Sequence, residues 1–205
     1  MTEAGKVRIP FRSPAALAAA IFLASCTATE IAGLAVAPKT LVDRAIEARS
    51  AEDIAKDNEI VLKANAAMAD LGTIKASTTI YEQRLLVTGL FDDKALYDRF
   101  EQAIRAVPGV KKLYWHAVHV SEAAQAKRKD VLSWDEVLVI ESKAAARLIG
   151  TAGVADVNFR VTADALGTLY LIGRARSQAE HAKALARVRD GDGVRKVVDY
   201  AVVRP

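Results

Sequence analysis

Shifted by 84 positions, the second half of this 205-residue chain falls onto the first. That repeat limits the fold more than any other feature. Leu85-Leu86-Val87-Thr88-Gly89 meets Leu169-Tyr170-Leu171-Ile172-Gly173. The same shift carries Ala95 to Ala179, Ile104 to Val188, Gly109-Val110 to Gly193-Val194, Lys112 to Lys196 and Ala117-Val118 to Ala201-Val202, without a gap. A self-match of this length is the mark of one supersecondary unit used twice. Upstream of Leu85 the register changes. Ile80 aligns best with Val161, which predicts a hairpin turn about three residues longer in the second copy.

Within the first copy, Ile54, Val61, Leu62, Met68 and Leu71 recur at helical spacing. Asp53 or Ser50 can cap that helix and Gly72 can end it. Residues 74–81 read as a strand, 82–84 as a turn, and 85–88 as a returning strand closed by Gly89. A second helix follows over about 92–107, stopped by Pro108-Gly109, and a third strand over 110–120. The order is α-β-β-α-β. The second copy repeats it: a helix from Ser133 to about Gly150, strands at 154–162 and 168–172, a helix over 177–189, and a strand over 194–203. The charged, Ala-rich stretch between the copies, 122–130, is a linker or a helical extension. The fold class is thus α+β, with two tandem αββαβ modules, each a small three-stranded mixed sheet with two helices.

The N-terminus decides where such a chain works. Cys26 is the single cysteine, and it ends the run Leu23-Ala24-Ser25-Cys26. An uncharged apolar stretch, 15–24, precedes it, and Lys6, Arg8 and Arg12 precede that. A basic head, a short apolar middle and small residues before a cut is the order of a secretory signal peptide. The apolar run is about half the length a membrane-crossing helix needs. The sequence Leu23-Ala24-Ser25-Cys26 resembles the lipobox of bacterial lipoproteins, in which the cysteine receives lipid and becomes the first residue of the mature protein. That resemblance implies two or three acyl chains on Cys26. One chain binds only marginally, at about 0.8 kcal/mol per buried CH₂, whereas several make attachment permanent. Thr27, rather than Asp, after the cysteine leans toward the outer membrane. The segments are then a signal peptide (1–25), a tether (26–50), module one (51–121), a linker (122–130) and module two (131–205).

Charge adds a constraint. The chain carries 29 Lys and Arg against 25 Asp and Glu, a net of +4. Removing residues 1–25 takes away three basic residues and one acid and leaves +2. So balanced a chain argues against a nucleic-acid partner. A single cysteine allows no internal disulfide, so the core alone must stabilise the fold.

Two such units behind a lipobox resemble the dual BON-domain lipoproteins of Gram-negative envelopes. The residues that carry the likeness are Gly89 and Gly173, Ala95 and Ala179, the pairs Gly109-Val110 and Gly193-Val194, and the lead-in Arg49-Ser50-Ala51-Glu52-Asp53. The chain departs from that family at both hairpins, with Gln83-Arg84 in the first and 163–167 in the second. The resemblance implies a phospholipid-binding, periplasm-facing protein that supports outer-membrane integrity, with no cofactor and no catalysis. It also places the membrane contact on the first helix of the second module. Trp134 starts that helix, and amphipathic aromatics favour the membrane–water interface. Lys143 and Arg147, four apart and so on one face, could meet lipid phosphates. The alternative is a protein-interaction adaptor for an outer-membrane assembly or secretion complex, with the lipid only a tether.

Other candidates point to structure. His116 and His119 fall on opposite faces of a strand, and His181 lies in the other module, so no metal site is expected. Gly150-Thr151-Ala152-Gly153 matches the GxxG of KH domains but reads as a helix stop. One of Tyr114 and Trp115 must point inward, into the core or the module interface. No Ser, His and acid arrangement suggests an enzyme.

Overall fold

A computed structural model describes residues 46–72 and 75–205. The signal-peptide reading, Cys26, and Leu23, Ala24 and Ser25 lie outside the described residues.

Helix α1 (Ala51–Leu71) starts where the Ser50 hydroxyl accepts the Asp53 N–H. It stops at Gly72, whose φ of +70° releases the chain. Asp57, Ile60 and Ala64 form its buried face, whereas Leu62, part of the expected apolar set, is 63 % exposed. Strand β1 (Ala76–Tyr81) turns through Glu82-Gln83 into β2 (Arg84–Phe91), antiparallel to it. Helix α2 (Lys94–Arg105), capped by Asp93, then crosses to β3 (Lys112–His119), which pairs parallel with β2. A crossover is what a parallel neighbour requires. One short helix, α3 (Glu122–Gln125), breaks the segment between the halves.

The second half comprises α4 (Trp134–Ile149), a 3-10 turn (Asp156–Asn158), β4 (Phe159–Ala163), β5 (Thr168–Ala175), α5 (Gln178–Arg189) and β6 (Lys196–Val203). Its sheet order is β4-β5-β6, matching β1-β2-β3. The bounds of β5, α5 and β6 are those of β2, α2 and β3 plus 84. The parallel registers coincide as well, Arg84 facing Lys112 and Thr168 facing Lys196.

Three expectations are corrected. The strand expected over 154–162 begins only at Phe159, because earlier N–H groups are taken by other partners. Glu180 accepts that of Ala155, and Val154 donates to Thr151. The second hairpin is one residue longer than the first, not three: Tyr81 pairs with Arg84, and Asp164 donates to Thr168 across 165–167. Finally, Gly89 and Gly173 sit inside strands rather than ending them. A Cβ on Gly173 would lie 2.2 Å from the Asn158 carbonyl, and one on Gly89 would lie 3.0 Å from Ala76 Cβ and from the Lys75 carbonyl. Close backbone approach keeps both positions bare.

Packing follows from strand alternation. Leu85 and Val87 face α1 and α2, in a core with Ile60, Phe100 and Ile104. Trp115 joins it, 5.4 Å from Phe100, and donates its Nε1–H to Tyr97 Oη at 2.9 Å. Leu169 and Leu171 play the same part against Val137, Ile140, Ala144 and Val188. Alternate residues form a third cluster between the sheets: Tyr81, Leu86, Tyr170 and Ile172, with Tyr114, Val198 and Tyr200 packed on it. The helix-free sheet faces therefore cover each other, giving layers of helix, sheet, sheet and helix. All three clusters lie within 60–203.

Polar groups lash the seam. The Arg84 guanidinium donates to the Tyr200 and Gly173 carbonyls at 2.7 and 2.9 Å, and Arg204 pairs with Glu82. Residues 46–50 tie both halves. Arg49 meets Asp57 at 3.0 Å, while Ala48 N–H donates to Asn158 and the Ala48 carbonyl accepts from Arg174.

Candidate functional site

Helix α4 is the element the sequence singled out, and its two faces differ in an unusual way. Ser133 starts it with a reciprocal cap: its hydroxyl accepts Glu136 N–H, and the Glu136 carboxylate accepts Ser133 N–H. Val137, Ile140, Ala144 and Leu148 pack inward. The outward face carries Asp135, Glu136 and Lys143, as a solvated helix does, but large apolar side chains interrupt it. Leu138, Val139 and Ile149 are 40, 51 and 51 % exposed, and Lys143 is exposed between them.

Trp134 is half-buried. It lines a cleft of about 340 Å³ where β2, the inter-unit segment and β4 meet, with Thr88, Leu90, Arg128, Leu132 and Ala163 among its walls. Trp134 thus belongs to the junction between the halves. Arg147 does not join Lys143. Its guanidinium folds onto the end of α5, where Nε donates to the Arg187 carbonyl at 3.2 Å. A Cβ on Gly191 would fall 1.9 Å from Arg147 Nη2, so the bare glycine makes room for it.

The remaining candidates resolve into structure. His116 faces the inter-sheet seam, and His119 Nε2 lies 3.2 Å from the Asp92 carbonyl. His181 Nε2 is 2.7 Å from Asp199. Among the described residues no group of three His, Cys, Asp or Glu side chains could hold a metal. Residues 150–153 close α4: Gly150 N–H donates to Ala146 and the Thr151 hydroxyl to the Arg147 carbonyl. Among the described residues no helix is long and apolar enough to cross a membrane.

Sequence reasoning named the module interface only for Tyr114 or Trp115, of which Tyr114 lies there and Trp115 joins the core; it missed the rest of the seam and the Asp57 cluster. A signal for the seam was present. Leu85-Leu86-Val87 and residues 169–172 are continuous apolar runs, as strands covered on both faces must be.

Residues 137–205 match the BON domain family. The match covers α4 from its first inward-facing residue through β6. An uncharacterized protein in the gshII 5′ region of Anaplasma centrale is 27 % identical over 150 residues, which is 70 % of this chain and 92 % of that protein. Two solved structures of CdsD, a structural protein of the type III secretion system of Chlamydia trachomatis, are similar at 11 % identity. One covers 72 % of this chain and 93 % of its own with a TM-score of 0.29. The other, the C-terminal domain, covers 71 % and 98 % with a TM-score of 0.32.

Proposed function

We propose that this chain is a lipid-anchored envelope protein with two BON modules in tandem, whose second module contacts anionic phospholipid through α4. A BON domain fits a periplasmic or envelope protein. Reading 51–121 as a second BON module is supported by the coincident element bounds and strand registers of the two halves. Export and the outer-membrane anchor rest on the sequence around Cys26. The reading includes no catalytic step.

The observation that carries the lipid reading is the outward face of α4. Leu138, Val139 and Ile149 stand in solvent beside Lys143, with the Trp134 indole at the helix start. A helix with an exposed apolar strip, a basic residue and an aromatic at one end suits the boundary between headgroups and acyl chains. Flotation of an unlipidated Cys26→Ser chain with anionic vesicles at low salt tests it. Binding is expected, and a chain left entirely in the bottom fraction overturns it.

One observation favours a protein-docking adaptor instead. Arg147 is withdrawn onto α5, so of the two expected cations only Lys143 stands free of the fold. An apolar strip flanked by the exposed acids Asp135 and Glu136 also suits a protein surface better than an anionic one. Salt separates the two readings, because phosphate contacts weaken as the ionic strength rises and apolar docking does not.

A further inference from the structure

His116 leaves β3 on the helix-free side and enters the seam between the sheets. Its ring centroid lies 4.3 Å from that of Tyr170 on β5 and 5.7 Å from that of Tyr200 on β6. Its Nε2 is 2.8 Å from Tyr200 Oη. Two residues earlier, Tyr114 stacks on Tyr200 with centroids 3.9 Å apart. The contact of β3 with the second sheet thus runs through one imidazole and three phenol rings.

The surroundings supply little to hold a positive charge there. Asp164, in the β4–β5 turn, already accepts the Tyr170 hydroxyl at 2.8 Å and the N–H groups of Leu166 and Thr168. Lys196 opens β6, Lys112 lies over the Tyr114 ring, and Arg84 on β2 donates to the Tyr200 and Gly173 carbonyls. Tyr81 on β1 is fully buried. Burial lowers the basicity of His116, Asp164 pulls it back up, and Lys196 pushes it down; the net direction is below an ordinary histidine.

We propose that His116 is a proton-operated latch between the two sheets: its neutral ring closes the seam, and protonation loosens it. With the proton on Nδ1, Nε2 accepts the Tyr200 hydroxyl. A second proton on Nε2 removes that acceptor and places a cation inside the aromatic cluster, where desolvation opposes it. The sign follows. A histidine less basic in the closed state than in the open one favours closure fully above about pH 6.5. Closure weakens as pH falls below that value toward the lowered one. The loss approaches tenfold in the closure constant for each pH unit over which the closed state resists the proton.

The test uses the full chain carrying Cys26→Ser. Above neutral pH, amide relaxation should show both halves tumbling as one body, with through-space contacts between the Tyr114 and Tyr200 rings. At pH 5 those contacts should fade and the amides lining the seam should lose exchange protection, with both halves still folded. In His116→Gln, which keeps an acceptor and cannot be charged, the closed pattern should persist to pH 5. An identical acid response in that variant, or no response in the native chain, overturns the proposal. So does direct titration of the His116 ring in the native chain at or above the ordinary histidine value, a reading that needs no variant to fold.

Discussion

The Asp57 carboxylate accepts the backbone N–H of Gln83 at 2.6 Å. The same carboxylate takes Glu82 N–H at 2.9 Å, Gln83 Nε2–H at 2.9 Å and the Arg49 guanidinium at 3.0 Å. Glu82 and Gln83 hold φ of +53° and +59°, a conformation that costs an ordinary residue about 1 kcal/mol or more. Such turns are normally built from Gly or Asn. Here a buried acid on the neighbouring helix does that work. Asp57→Ala should cost about 3–5 kcal/mol, since it strips a buried charge of its partner and frees a strained turn. Asp57→Asn keeps one acceptor oxygen and should cost less. Urea unfolding of the three chains checks the order.

The two strand glycines should differ in severity. Gly173→Ala places a methyl 2.2 Å from the Asn158 carbonyl, within backbone that cannot give way. Gly89→Ala makes its nearest contacts at 3.0 Å. Overpacking of this kind costs about 1–3 kcal/mol. The expected result is the upper end or beyond for Gly173 and the lower end for Gly89, read from denaturant midpoints.

On α4, binding and stability should separate. Leu138→Asp and Val139→Asp should leave the unfolding midpoint nearly unchanged, because both side chains are exposed. Each should weaken vesicle flotation about tenfold or more, the equivalent of losing one buried aliphatic contact. Arg147→Ala should do the reverse, lowering stability through the lost α5 contact while sparing flotation.

Glu141 carries a pH dependence opposite in sign to that of most acids. Burial raises its pKa, and the bonds from the Thr162 hydroxyl and Ala163 N–H only partly offset that. Its folded pKa exceeds the unfolded one. The contribution of Glu141 to stability should therefore fall as pH rises through the carboxyl range. In Glu141→Gln that loss should vanish, visible as a stability gap that closes on acidification.

Much of the fold was legible because spacing was informative. The 84-residue shift located β5, α5 and β6 once β2, α2 and β3 were placed, and Ser50, Gly72, Ser133 and Gly150 marked helix ends. The hairpins were not legible. Periodicity carries no signal that Asp57 substitutes for a turn glycine, or that Glu180 and Thr151 take the N–H groups ahead of β4. At the candidate site, the placing of Trp134 and Lys143 on one helix was readable from sequence. The folding back of Arg147 was not, since its cause is a glycine 44 positions away.

The lashing of residues 46–50 has a mechanical consequence. Because Arg49 grips Asp57 while Ala48 is bonded to Asn158 and Arg174, residues 46–50 are held to both halves at once rather than to one. A pull applied at Ile46 is shared by both halves and loads short polar bonds in parallel. The load reaches the two aliphatic cores only after those bonds have parted.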